Sequence, residues 1–174
     1  MIARRNGEGQ YREVGPVMMQ GCLFLFLTAI VLFGLCQWSM PTVVRMLISS
    51  DNIYDATCEF LHWRMFGFFF SFVNVMFRAL YVGITRTKVL TINAIIMALV
   101  NVFLDYAWIF GHFGFPEMGL KGAAIASVVA EAASLLFGVI YTWLYVDLKK
   151  YGLNRWPQWD SALLGRILSI SCFT

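Results

Sequence analysis

An all-α integral membrane protein with four transmembrane helices is predicted by three features: an oily composition, four apolar runs of bilayer-spanning length, and Gly/Pro punctuation between them. Hydrophobic residues make up 60% of the 174-residue chain and charged residues 13%, where ordinary soluble domains carry about 25% charged residues. A helix of roughly 20 apolar residues crosses a hydrocarbon core, and each run reaches that length.

The first span is predicted over Val17–Met40, introduced by Gly15-Pro16 and stopped by Pro41. The second covers Phe60–Gly83, rich in Phe and interrupted by Arg64, Asn74 and Arg78. The third, Val89–Phe110, carries "NVFLDYAWIF" and ends in the turn-prone "GHFGFPEMG". The fourth, Gly122–Tyr145, begins with "GAAIAS". The chain thus divides into a polar segment 1–14, a transmembrane part 15–146, and a connection 147–174. Within that connection, "LKKYGLNRWPQWD" is polar and "SALLGRILSISCFT" starts a further apolar stretch.

Charge follows topology. The net charge is +3, and no basic stripe interleaved with aromatics marks a nucleic-acid surface. Arg4, Arg5 and Arg12, then Arg86 and Lys88, then Lys149, Lys150 and Arg155 fill alternate connections, whereas the others hold only Arg45 and Lys121. The positive-inside rule puts both chain ends in the cytoplasm and "GHFGFPEMGLK" outside, as a multi-pass protein of the plasma (inner) membrane. Cys22, Cys36, Cys58 and Cys172 lack metal-site spacing and read as packing residues. The start "MIARRNGEGQ" has no apolar run behind it and is no signal peptide.

Asn101 and Asp105 stand out because they interrupt the third span. Counting from Gly111, Asp105 lies six residues, roughly 9 Å, below the outer end. Counting from Gly122, Ser127 lies about 8 Å down the antiparallel fourth helix. Asp105 is expected level with Ser127, and Asn101 level with Glu131, one turn deeper on each helix. Gly122, Ala126, Ala130 and Ser134 form a small-residue stripe that lets a neighbouring helix come close. A carboxylate there costs at least ~2.5–3.5 kcal/mol on insertion scales and usually serves a proton, ion or substrate pathway. Oxygen ligands suit a hard cation, and a desolvated Asp suits a proton. The plainer alternative, interhelical hydrogen bonding, fits Asn101 and Ser127 taken singly, while Glu131 fits either reading. His62 and His112 are isolated and receive no metal or catalytic role. Arg64 could pair with an internal carboxylate, Arg78 snorkels inward, and Trp38, Trp108, Trp143 and Tyr145 read as interfacial anchors.

The stretch "NVFLDYAWIFGHFGFPEMGLKGAAIAS", with "IARRNGEG" and "FRALYVGITRTKV", resembles the multidrug and toxic compound extrusion (MATE) family of secondary transporters. The resemblance implies twelve helices in two six-helix lobes that exchange Na⁺ or H⁺ for small organic, often cationic, compounds across the bilayer. On that pattern the chain holds the third to sixth helices of an incomplete N-lobe, residues 1–14 following a missing helix. The family's cation-binding or proton-binding Asn and Asp fall on Asn101 and Asp105, and its Thr falls on Ser127, which keeps the hydroxyl. The acidic residue of the family's first helix has no counterpart here. The chain therefore reads as a fragment whose function requires the missing lobe, with no cofactor, no metal beyond Na⁺, and no enzyme activity. The alternatives are a lipid-linked saccharide flippase of related architecture and a non-transporting structural membrane fragment. A membrane enzyme would need a motif such as HExxH or GxSxG, which the sequence lacks.

Overall fold

A computed structural model of the chain describes residues 2–153. A short helix α1 (Ile2–Gly7) and one 3-10 turn (Tyr11–Glu13) lead into α2 (Val14–Leu47). Then come α3 (Asp51–Met65), α4 (Gly67–Gly83), α5 (Lys88–Ile109) and α6 (Gly119–Tyr145). Helices α2, α5 and α6 are each long and apolar enough to cross a membrane; α3 and α4, bent by 40° to each other, bring the number to four if the pair is counted as one span. Arg155, Cys172 and the apolar stretch after Asp160 lie outside the described residues.

Two span boundaries differ from the sequence reading. Pro41 does not stop the first span, for α2 runs through it to Leu47. Proline removes one hydrogen bond to the carbonyl four residues back, whereas ending a helix leaves four carbonyls open. Beyond Pro41, Arg45 reaches Asp51 at 2.7 Å and lies over the Tyr54 ring at 5.0 Å, closing the turn into α3. The second span is not a straight helix from Phe60: it starts at Asp51 and breaks at Phe66. There the Phe66 N–H bonds to the Trp63 carbonyl, three residues back, at 3.3 Å. Gly67 follows because the place where its Cβ would stand is taken by the Arg64 guanidinium and the Glu131 carboxylate.

The main apolar core lies at one end of the helices. Ile2, Val14, Val17, Met18, Leu80, Tyr81, Ile84, Val89 and Val146 are buried together, joining the starts of α1, α2 and α5 to the ends of α4 and α6. The Gly15 N–H donates to the Tyr151 carbonyl at 2.8 Å, so the start of α2 and the segment after α6 lie on the same side, as four crossings require. Arg86 Nη1 donates to the Tyr145 carbonyl at 2.8 Å on that side.

Helices α4 and α6 run parallel, and two α4 side chains one heptad apart reach α6 carbonyls one heptad apart. Asn74 Nδ2 donates to the Glu131 carbonyl at 3.0 Å, and Tyr81 OH to the Gly138 carbonyl at 2.7 Å. The small-residue stripe predicted on α6 is buried and longer than expected, for Gly138 and Thr142 continue it. Trp38 and Trp143 are 83% and 71% exposed, and because α2 continues to Leu47, Trp38 lies nine residues inside the helix end rather than at it. Trp108 differs, being half-buried where α5 meets the start of α6. Its carbonyl accepts the Met118 N–H at 2.8 Å.

Candidate functional site

Helix α5 owes its place almost wholly to α6. The two form the most extensive helix pairing of the described residues, α5 touches α4 only slightly, and it does not meet α2 or α3. The pairing is close because the buried Gly122, Ala126 and Ala130 present no bulk to the neighbouring backbone. Away from α6, α5 turns apolar side chains outward, Leu99 and Val102 being 66% and 67% exposed. The expectation that the third and fourth spans are neighbours therefore holds.

The register differs by one turn. Ser127 meets Asn101, whose Nδ2 donates to Ser127 Oγ at 3.3 Å, rather than Asp105. The cause is the connection. The His112 N–H returns to the Ala107 carbonyl and the Met118 N–H to the Trp108 carbonyl, so the loop folds back along the end of α5. Gly122 consequently packs on Trp108, not level with Gly111, and every depth counted from Gly111 shifts by nearly a turn.

Asp105 sits one turn outward from the Asn101–Ser127 contact. It is half-buried, and its Oδ1 is buried without a hydrogen-bond donor among the described residues. A buried acceptor left open costs about 1–3 kcal/mol, more when charged. A carboxylate oxygen of this kind suits a hard cation or a proton, and Asn101 and Ser127 add neutral oxygen atoms one turn deeper. Asn93, about two turns inward from Asn101 on α5, also has a buried Oδ1 without a donor among the described residues. It is absent from the predicted set, and the available sequence signal was an amide inside an apolar span.

Glu131 is not brought to Asn101. Its carboxylate turns to the bend between α3 and α4, where Oε1 accepts from Arg64 Nη2 at 2.7 Å. The Glu131 side chain is 13% exposed, and its Oε2 is buried without a donor among the described residues. The expected single cluster is two: an oxygen set on α5 and α6, and an ion pair one turn inward on α6. His62 bonds through Nδ1 to Gln37 Nε2 at 2.8 Å, and His112 stacks on Tyr106 at 4.4 Å between centroids. Arg78 is exposed. No three His, Cys, Asp or Glu side chains gather into a metal-binding group among the described residues, so mixed amide, hydroxyl and carboxylate oxygens are the cation ligands on offer.

Comparison with known proteins adds three findings. The MatE family model matches residues 1–107. A probable multidrug resistance protein NorM of Agrobacterium fabrum is 28% identical over 167 residues, covering 92% of this chain and 35% of the relative. Another of that description from Thermotoga maritima is 30% identical over 162 residues, with 92% and 34% covered. A solved structure, the inward-facing conformation of a multidrug resistance MATE family transporter of the MOP superfamily, superposes with a TM-score of 0.79 at 16% identity. It covers 98% of this chain and 38% of its own, which establishes likeness of fold. The chain spans about a third of the length of these relatives.

Proposed function

From the premise that the chain belongs to the MATE family, as the match over residues 1–107 shows, we propose that it supplies the third to sixth helices of the N-lobe of a Na⁺- or H⁺-coupled multidrug efflux antiporter in the plasma membrane. One observation carries the coupling assignment: inside the span, Asp105 presents a buried carboxylate oxygen with no donor among the described residues, one turn from the Asn101–Ser127 contact. In this reading the driving cation is a transported substrate, held by Asp105, Asn101 and Ser127. Its arrival removes the cost of the open acceptor, and its release restores that cost, so occupancy biases the lobe between two conformations. The cargo is a small organic cation, and both ends of the described segment face the cytoplasm.

The reading is tested in vesicles containing the two-lobe transporter. An imposed Na⁺ or H⁺ gradient should drive transport of a fluorescent organic cation, and transport indifferent to both gradients would refute cation coupling. Ser127→Ala removes a neutral ligand, of the order of 0.5–1.5 kcal/mol, so the half-saturating concentration of the driving cation should rise roughly two- to tenfold. Ser127→Thr keeps the hydroxyl and should match the parent; equal curves for all three proteins would remove Ser127 from the site.

Four spans offer no second lobe to move against. The 174-residue chain expressed by itself is therefore expected to insert into membranes without exporting any compound. Gradient-driven export by the purified chain would contradict the two-lobe assignment.

A further inference from the structure

Asn101, Asp105 and Ser127 lie on two helices, and the position of both is decided by α6. Helix α5 packs on α6 and barely touches α4, so whatever fixes α6 fixes the site. Three polar ties join α6 to the α3–α4 span. At the outer end Lys121 Nζ meets Glu59 at 3.1 Å and lies over the Trp63 ring at 5.3 Å. At the inner end the Tyr81 hydroxyl bonds to the Gly138 carbonyl and to Thr142 Oγ1. Between them, one turn inward from Ser127, stand Arg64, Asn74 and Glu131.

The middle tie is built into the bend. Arg64 is the last residue but one of α3, Gly67 is the first of α4, and the space a Cβ would need at Gly67 is occupied by the two charged groups. Asn74, two turns along α4 from Gly67, holds the Glu131 main chain, so side chain and backbone of one α6 residue are gripped from both sides of the break. Net stability does not account for the pair. The pair is half-buried, with the Arg64 side chain 37% and the Glu131 side chain 13% exposed, and well-packed apolar residues often serve as well as an ion pair taken out of water. Arg64 uses one carboxylate oxygen and leaves Oε2 open. What the pair fixes is the azimuth and height of α6 against the bend. The Asn101–Ser127 contact, already long at 3.3 Å, has little margin for a shift in either.

We propose that Arg64 and Glu131 are positioning residues for the cation site: they brace α6 against the α3–α4 bend so that Ser127 is presented to Asn101 and Asp105. The proposal rests on the cation-coupled reading given above. The brace lies one helix turn from Ser127, and α5 is held separately at its start by Val89 in the inner core, so a rotation of α6 about its own axis would turn Ser127 relative to Asn101.

The test uses the two-lobe transporter in vesicles and measures export against driving-cation concentration. Glu131→Gln and Arg64→Gln should each raise the half-saturating cation concentration about tenfold at an unchanged saturating rate. The exchanged pair Arg64→Glu/Glu131→Arg should return it to within about threefold of the parent. The apolar pair Arg64→Met/Glu131→Leu strands no charge and should fold as well as the parent, yet keep the raised half-saturation. If the single variants fold poorly, the two double variants carry the comparison. Parental cation dependence in the apolar pair, or in both single variants, overturns the brace. Asp105→Asn is run beside them: if it too shows parental dependence, the α5 site fails first and the brace falls with it. If Asp105→Asn loses coupling while the apolar pair behaves as the parent, the brace alone is refuted.

Discussion

Asp105→Asn in the two-lobe transporter is expected to abolish cation-driven export while leaving membrane insertion intact. The amide keeps the size of the carboxylate and removes its charge. Contacts to a charged oxygen contribute about 1.5–3 kcal/mol where neutral ones contribute about 1, so cation affinity should fall by roughly two- to thirtyfold, and an amide has no charge or titratable proton to exchange in the cycle. The environment of Asp105 sharpens the contrast with a packing role. Its Oδ1 has no donor among the described residues, so no interhelical hydrogen bond from that atom is there to be lost. A carboxylate kept only for packing would gain from becoming an amide, because the cost of a charge in the span, about 2.5–3.5 kcal/mol, disappears. The two accounts therefore predict opposite outcomes for transport. Export is measured at matched expression under an imposed gradient, with thermal unfolding alongside. Parental export with raised thermal stability would reduce Asp105 to a structural residue.

The residues that carried the site were legible because a membrane span has a simple background. Against Leu, Val and Phe, Asn101 and Asp105 are visible at a glance, and their spacing of four places them on one face. The stripe from Gly122 onward was legible for the same reason, and it set α6 beside α5. What composition does not encode is where a loop turns. The fold-back of His112 and Met118 onto α5 moved the register by a turn and handed Ser127 to Asn101. The bend was hidden as well. In "WRMFGFFF" Arg64 interrupts the apolar run, but a single charge does not mark a break in the helix, and Gly67 is called for by an ion pair arriving from a residue 64 positions later in the chain. Pro41 misled in the opposite direction: it is a stop signal in water, but within a long apolar helix one missing hydrogen bond is cheaper than a terminus.

Gly122→Ala is expected to separate α5 from α6, and Gly138→Ala is not. A Cβ at Gly122 would lie 2.8 Å from the Trp108 carbonyl oxygen and 2.9 Å from its carbon. Those are main-chain atoms, held further by the Met118 N–H on the same oxygen at 2.8 Å, so they cannot swing aside. The helices must part by several tenths of an ångström, and overpacking of this kind costs about 1–3 kcal/mol. Alanine offers at most about 1 kcal/mol of helix propensity in return. At Gly138 the new methyl would sit 3.4 Å from the Phe77 ring, an ordinary contact with a side chain, so the propensity gain stands nearly alone. Gly138→Ala should then be neutral or slightly stabilising, whereas Gly122→Ala should lose up to about 2 kcal/mol. The Asn101–Ser127 hydrogen bond, at 3.3 Å, is the first contact a parting of α5 and α6 would break. Export by the Gly122→Ala transporter should therefore need several-fold more driving cation, as Ser127→Ala does, with no change to any ligand. The measurement pairs thermal unfolding in detergent with cation-dependent export for both variants. Equal stabilisation by the two alanines would mean that α6 does not ride on the Trp108 main chain, and the register that joins Ser127 to Asn101 would have to be redrawn.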